Sequence, residues 1–123
     1  MIAPVLLVED DADTRSALCL LLESEGYTVV GAKDAESALE QLEDGLTPSV
    51  VLVDLHLPDG SGWDVMKHLD QEAHLKSVPI ILISGMPKDD VKILADAVFK
   101  KPVDYPNLLA TIRQFANRPA PAD

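Results

Sequence analysis

Basic residues and cysteine are both scarce in this sequence. Lys and Arg number 10 against 21 Asp and Glu, which gives a formal net charge of -11 at pH 7. Binding to a nucleic-acid phosphate backbone needs clustered basic side chains, so this balance argues against direct DNA binding. The single cysteine, Cys19, rules out a disulfide within the chain and favours a reducing compartment.

Long apolar runs are also missing. Pro4 and the acidic residues from Glu9 onward interrupt the N-terminal run, and a bilayer-spanning helix needs about 20 consecutive apolar residues. We therefore expect neither a signal peptide nor a membrane anchor, and interpret the chain as soluble and cytoplasmic. Its 123 residues, 47% of them apolar, are enough for one domain with a sizeable core.

The apolar residues that are present form short runs separated by amphipathic stretches. The most continuous runs are Val5 to Val8, Val50 to Val53, Ile80 to Ile83 and Ala97 to Phe99. Such runs are typical of strands that are buried on both faces of a parallel sheet. With a further strand at 28–32, the alternation predicts an α/β fold: a flavodoxin-like, doubly wound, five-stranded parallel sheet in the order 2-1-3-4-5, with five helices.

Capping residues set the expected helix boundaries. The first helix should run from Ala12 to Ser24 and stop at Gly26, and Asp34 should cap the second. Ser61 and Asp64 can form a capping box for the third helix. The fourth helix, at 89–95, should be shortened to about two turns. The last should begin with Pro106 at its first position and end near residue 117, so we expect a domain at 1–117 and a flexible tail at 118–123.

Polar residues stand directly at the ends of four of these predicted strands. They are Glu9, Asp10, Asp54, Ser84 and Lys101. Parallel strands open their carboxyl ends onto one crevice, so these side chains should converge there. Three neighbouring carboxylates repel one another unless a cation or a proton relieves the repulsion, and Mg²⁺ prefers oxygen ligands. The sequence therefore predicts a magnesium site beside a lysine.

In these motifs the chain resembles the receiver domain of two-component response regulators, from Ile2 to about Phe115. The resemblance is carried by Leu7-Val8-Glu9-Asp10-Asp11, by the segment from Asp54 through Pro58-Asp59-Gly60-Ser61-Gly62, by Ser84-Gly85, and by Lys101-Pro102. Each motif is weak alone, but together they occur in the right order at the ends of the right strands.

The resemblance implies a phosphoacceptor chemistry. Asp54 would take a phosphoryl group from a phosphohistidine on a histidine kinase or a histidine phosphotransfer protein. Asp10, Asp54 and the backbone carbonyl of His56 would bind Mg²⁺, and Glu9 would act through a metal-bound water. Lys101 would supply a fixed positive charge. The Ser84 hydroxyl would then be drawn toward the new phosphoryl group.

Neighbouring positions would modulate this chemistry. His56 and Met86 would flank the phosphoryl group and regulate access of hydrolytic water, while the small Gly85 would leave it space. Many receivers carry Tyr or Phe at a switch position three residues before the lysine, where this chain has Val98. Phe99 should point to the opposite face of its strand. With the short fourth helix, this predicts a partner surface unlike that of DNA-binding regulators.

Other interpretations remain open for the same residues. Acids after a strand often only cap a helix, and this is the alternative interpretation of Asp10 and Asp11 taken on their own. A haloacid-dehalogenase-type phosphatase also uses an Asp nucleophile and Mg²⁺, but expects a second Asp where this chain has His56. A flavodoxin-like cofactor binder would need a phosphate cradle in place of Glu9 to Asp11, whose charges repel anions.

Output is the least defined part of this interpretation. We expect no effector domain after the last predicted helix, so a stand-alone receiver would signal through protein contacts to an unknown output protein. A receiver cut from a hybrid histidine kinase or a larger regulator, and a phosphorylation-independent adaptor that keeps the fold, are the alternatives.

Overall fold

The computed structural model describes residues 3–54, 62–84 and 95–116. These residues contain five strands, β1 (Val5–Val8), β2 (Val29–Ala32), β3 (Val50–Asp54), β4 (Ile80–Ser84) and β5 (Ala97–Lys100). They also contain four helices, α1 (Ala12–Ser24), α2 (Ala35–Glu43), α3 (Gly62–Gln71) and α4 (Tyr105–Ala116). The predicted fourth helix at 89–95 lies mostly outside the described residues, so the C-terminal helix is named α4 here.

All neighbouring strands are parallel, in the order β2-β1-β3-β4-β5. This confirms the predicted flavodoxin-like topology. The order reverses between β1 and β3, the place where open α/β sheets bind ligands at the carboxyl ends of their strands.

Strand alternation distributes the core over both faces of the sheet. On one face, Leu6, Val8, Val51 and Val53 pack with apolar residues of α2 and α3. The other face carries Val5, Leu7, Val50 and Leu52, which pack with α1 and α4. Both faces are covered, which is why the central strands read as continuous apolar runs.

Helix caps follow the sequence closely. The Asp11 carboxylate accepts a hydrogen bond from the Thr14 N–H, and the Asp34 carboxylate accepts one from the Ser37 N–H. Gly26 adopts a φ of 94° just after α1, in the left-handed region that favours glycine. These observations confirm the predicted bounds of α1 and the predicted cap of α2.

One predicted boundary is wrong. Helix α4 begins at Tyr105, one residue before Pro106, because Asp104 already provides the cap: its side chain accepts from the Asn107 N–H and its carbonyl from the Leu108 N–H. Proline at the second helical position costs no hydrogen bond, since the first N–H groups of a helix have no partner within it. The sequence predicts that Ser61 and Asp64 form a capping box for α3, but Ser61 lies outside the described residues.

Candidate functional site

Three carboxylates meet at the point where the strand order reverses. Glu9 and Asp10 directly follow β1, and Asp54 is the last residue of β3. Val8 pairs with Val53 in the parallel register, which places the residues that follow them side by side. One carboxylate oxygen from each of Glu9, Asp10 and Asp54 lies within 4.8 Å of the others. The predicted convergence of these residues is therefore present in the fold.

Burial differs among the three. Glu9 is 5% exposed and Asp54 is 4% exposed, whereas Asp10 is nearer to solvent. Packing carboxylates this closely in a poorly hydrated place disfavours their charged forms. The cluster can therefore accept positive charge, either as a cation or as a proton.

Lys101 supplies part of that charge from across the sheet. It follows β5, two strands away from β3, and its Nζ lies 2.9 Å from Oδ2 of Asp54. Partial burial alone would lower the pKa of Lys101, but its hydrogen bond to Asp54 and the nearby carboxylates outweigh this and raise that pKa. The ammonium group is consequently a permanent cation at the site.

A proton can supply more of the positive charge that the carboxylate cluster accepts. Burial raises the pKa of Glu9 to about 7, and hydrogen bonds with Asp10 and Asp54 add to the effect. A carboxyl group that keeps its proton near neutral pH can donate to a neighbouring carboxylate in place of repelling it. Proton and metal are thus alternative ways to neutralise the same cluster.

Asp11 has a different role from its acidic neighbours. Its carboxylate caps α1, and its hydrogen bonds with Thr14 lower its pKa. The helix-cap interpretation is therefore right for Asp11, while Asp10 belongs to the carboxylate cluster.

The carboxylates and Lys101 line an open pocket of about 430 Å³. Its remaining walls come from Asp11 and α1, from Ile83 of β4 and from the segment after β5; they include Thr14, Leu18, Val103 and Tyr105. Sequence reasoning did not single out Thr14 or Tyr105. Both lie within four residues of a predicted site residue, at the start of a helix that opens onto the same edge, and that position was the available signal.

Of the other predicted residues, some lie within the described part of the structure and some do not. Ser84 ends β4 and pairs with Lys100 of β5, so its backbone reaches the same edge of the sheet. His56, Gly85 and Met86 lie outside the described residues. Val98 is half-buried against the α2–α3 side of the sheet, whereas Phe99 packs on the α1–α4 side. The expectation that Phe99 points away from the switch position is confirmed.

A cation of the magnesium type fits this donor set. The three clustered side chains offer only carboxylate oxygens, the hard ligands that Mg²⁺ prefers. The neighbouring pocket is open to solvent and can hold the waters that Mg²⁺ retains. The geometry is that of a small α/β protein with a carboxylate cluster that could hold a metal ion beside a fixed cation.

Comparison with known proteins identifies the class. The model of the response regulator receiver domain matches residues 5–113, so the chain belongs to this family. It is 35% identical over 122 residues to the phosphate regulon transcriptional regulatory protein PhoB of Escherichia coli (strain K12), with 95% of this chain and 53% of PhoB covered. It is 34% identical over 119 residues to the transcriptional regulatory protein CpxR of the same strain, covering 93% of this chain and 49% of CpxR.

A solved structure agrees with this assignment. The response regulator protein TrrA of Thermotoga maritima, in complex with Mg(2+)-BeF, aligns with a TM-score of 0.82 at 25% identity, covering 93% of this chain and 99% of TrrA. The chain spans about half the length of the curated relatives that it matches. It is a receiver domain of two-component signal transduction, and its acidic site suits aspartate phosphorylation and magnesium. None of the helices in the described ranges is long and apolar enough to cross a membrane.

Proposed function

We propose that Asp54 accepts a phosphoryl group from a phosphohistidine of a histidine kinase or histidine phosphotransfer protein. An Asp54 carboxylate oxygen attacks the phosphorus, a P–O bond forms as the P–N bond breaks, and the imidazole leaves with the electron pair. One observation carries this proposal: a carboxylate that is 4% exposed opens into a pocket beside two further carboxylates and a lysine Nζ at 2.9 Å.

The same residues would hold the cation. In this proposal Asp10 and Asp54 would be its direct carboxylate ligands, Glu9 would act through a bound water, and the backbone carbonyl of His56 would complete the protein ligands. Bound Mg²⁺ would neutralise charge on the transferred oxygens. The cluster of three carboxylate oxygens supports this assignment, as does the Mg(2+)-BeF complex of TrrA.

Lys101 and Ser84 respond to the product. The phosphoryl group brings about 1.5 to 2 negative charges, which attract the Lys101 ammonium and the Ser84 hydroxyl. Gly85 leaves space for the phosphoryl group, and inward movement of the loop after β4 transmits the signal. His56 and Met86 regulate the access of hydrolytic water, and Val98 replaces the aromatic ring that many receivers use at the switch position.

Output would pass through protein contacts. We propose that residues 1–117 form the receiver, that 118–123 form a tail, and that the unit works in the cytoplasm without binding DNA itself. PhoB and CpxR are named as transcriptional regulators. For this unit, in contrast, the net charge of -11 makes direct DNA contact unfavourable. Its catalysis is limited to its own phosphorylation and dephosphorylation.

Intact-protein mass spectrometry tests this proposal. After incubation with Mg²⁺ and acetyl phosphate, the wild type should gain one phosphoryl group, while Asp54→Ala and the wild type in EDTA should gain none. Asp11→Ala is the matched control, because it removes a neighbouring acid that caps α1, and it should still be phosphorylated. No adduct on a wild type that binds Mg²⁺ and Mg(2+)-BeF normally would contradict the proposal and favour a phosphorylation-independent adaptor.

A further inference from the structure

Arg15 contacts the acidic loop from behind. Its Nη1 donates a hydrogen bond to the backbone carbonyl oxygen of Glu9 at 2.8 Å. Arg15 does not line the pocket that holds the carboxylates; it lines a separate cavity together with Cys19 and Gly31. The guanidinium therefore acts on the backbone of the site and leaves the pocket free.

Gly31 of β2 makes room for this side chain. A Cβ atom at position 31 would lie 3.3 Å from Cδ and 3.5 Å from Cγ of Arg15. The backbone at Gly31 does not have the positive φ found at Gly26 and Gly45. What glycine provides at this position is space, which lets the stem of Arg15 lie flat across the edge strand.

The Glu9 backbone is consequently held on both sides. Its N–H donates to the carbonyl of Ala32 in β2 at 3.0 Å, and its own carbonyl accepts from Arg15 at 2.8 Å. That carbonyl belongs to the peptide bond between Glu9 and Asp10. Fixing the orientation of this peptide fixes the direction in which both carboxylates leave the chain.

We propose that Arg15 is a positioning residue for the cation site: laid across Gly31, it holds the Glu9–Asp10 peptide so that the Glu9 and Asp10 carboxylates face Asp54. The inference rests on the proposed function of these carboxylates as a Mg²⁺ site. Groups that orient metal ligands typically contribute 10- to 100-fold to metal affinity.

The sign of the effect separates positioning from simple charge. By Coulomb's law alone, removing a positive charge near the carboxylates would strengthen Mg²⁺ binding, because that charge repels the cation. Loss of positioning weakens it. Arg15→Met keeps an unbranched stem over Gly31 but has no donor, so this variant sets the two effects against each other.

Calorimetric titration of the metal-free protein with Mg²⁺ tests the inference. We expect Arg15→Met to bind Mg²⁺ roughly tenfold more weakly than the wild type. Arg113→Met is the matched control, because it removes the same charge from an exposed position of α4, and it should bind like the wild type. Arg15→Met that binds as tightly as Arg113→Met, or more tightly, would overturn the inference.

Two further variants leave the net charge unchanged. Arg15→Lys keeps the charge with a point-like donor and should be intermediate. Gly31→Ala pushes the Arg15 stem by a few tenths of an ångström; it should weaken binding less than Arg15→Met and add nothing in the Arg15→Met background. If Arg15→Met does not fold, these two variants decide: wild-type affinity in both contradicts the inference.

A metal-free readout completes the test. Amide hydrogen exchange at Glu9, whose N–H donates to the Ala32 carbonyl, should be faster in Arg15→Met than in Arg113→Met, because the Glu9 backbone then loses the second of its two hydrogen bonds and opens more readily. Equal exchange would count against positioning. A wild type that binds Mg²⁺ but gains no phosphoryl group would contradict the proposed phosphotransfer alone, since neither of these measurements needs a phosphodonor.

Discussion

At the scale of single residues, the site brings three carboxylates together, and one lysine offsets only part of their negative charge. Lys101 pairs with Asp54, which leaves Glu9 and Asp10 close together with less positive charge nearby. Burial of Glu9 and its hydrogen bonds with the other two acids raise its pKa to about 7. Without metal, a proton on Glu9 therefore performs part of the neutralisation that a cation performs when it binds.

This gives the metal-free protein a defined pH dependence. The pKa of Glu9 is raised from 4.5 to about 7 on folding, so its stabilising contribution is complete below pH 4.5 and is lost as the pH rises through 7. Solvent near Asp10 screens the cluster, and we expect a loss of about 1 to 2 kcal/mol. Urea unfolding in EDTA between pH 4.5 and 8 measures it.

Glu9→Gln provides the comparison for that measurement. The amide carries no charge at any of these pH values, so the variant should lack this part of the pH dependence. Saturating Mg²⁺ should restore the wild type most strongly above pH 7, where Glu9 would otherwise be ionised among other acids. Wild type and Glu9→Gln with the same pH profile in EDTA would show that Glu9 does not titrate in this range.

The sequence predicts the charged residues that meet at the site better than the residues that contact them from behind. Glu9, Asp10, Asp54 and Lys101 could be found because parallel strands bring their carboxyl ends to one edge, whatever the side-chain packing. The contact of Arg15 with the Glu9 carbonyl depends on a side-chain direction and on the absence of a side chain at Gly31, on a neighbouring strand. Neither is visible in local periodicity.

At the scale of elements, the start of α1 combines an acid that caps the helix with an acid that joins the carboxylate cluster. Asp11 accepts from the Thr14 N–H at 2.9 Å, and Asp34 makes the equivalent bond to Ser37 at the start of α2 at 2.8 Å. Asp10, one residue before the cap, instead joins the carboxylate cluster. Adjacent acids of the same type therefore contribute to stability and to the site separately.

Substitution of the two caps should show this separation. Asp11→Ala and Asp34→Ala each leave one helix N-terminus without its capping acceptor, so both should lower the melting temperature by a similar, modest amount. Neither should change Mg²⁺ affinity by more than about twofold, whereas Asp10→Ala should abolish measurable binding. Thermal unfolding and calorimetric Mg²⁺ titration of the three variants check this, and loss of Mg²⁺ binding in Asp11→Ala would place Asp11 in the metal site.

Element boundaries could be predicted where a capping residue marks them. Asp11, Asp34 and Gly26 define their helix ends by local hydrogen bonding or by backbone conformation, and these predictions are confirmed. The start of α4 was misplaced because two rules compete there. Proline favours the first helical position, but the hydrogen bonds made by Asp104 place the cap one residue earlier than that rule requires.

At the scale of the whole molecule, the site is supported by strands that are packed on both faces. Glu9 directly follows β1 and Asp54 ends β3. Between them, the apolar residues of these two strands pack with all four described helices. A ligand that binds at their ends should therefore stabilise the global fold, because unfolding would destroy its site.

The Mg(2+)-BeF complex bound by TrrA offers a direct measure of that coupling. Beryllium fluoride imitates a phosphoryl group on a carboxylate without forming a lasting covalent product, so it should bind this chain at Asp54 together with Mg²⁺. At a hundredfold excess over its dissociation constant, a ligand adds about 2.7 kcal/mol to the free energy of unfolding. We expect a rise of several degrees in melting temperature beyond that given by Mg²⁺ alone.

Controls connect this rise to the site. Asp54→Ala should show no further rise when beryllium fluoride is added, and Lys101→Met should show a smaller one because the bound anion loses its cationic partner. Arg113→Met, which removes a charge that pairs with Glu25 and does not line the pocket, should respond like the wild type. A wild type stabilised equally by Mg²⁺ with and without beryllium fluoride would mean that the carboxylate cluster binds metal but does not accept a phosphoryl-like group, the behaviour expected of an adaptor that keeps the receiver fold.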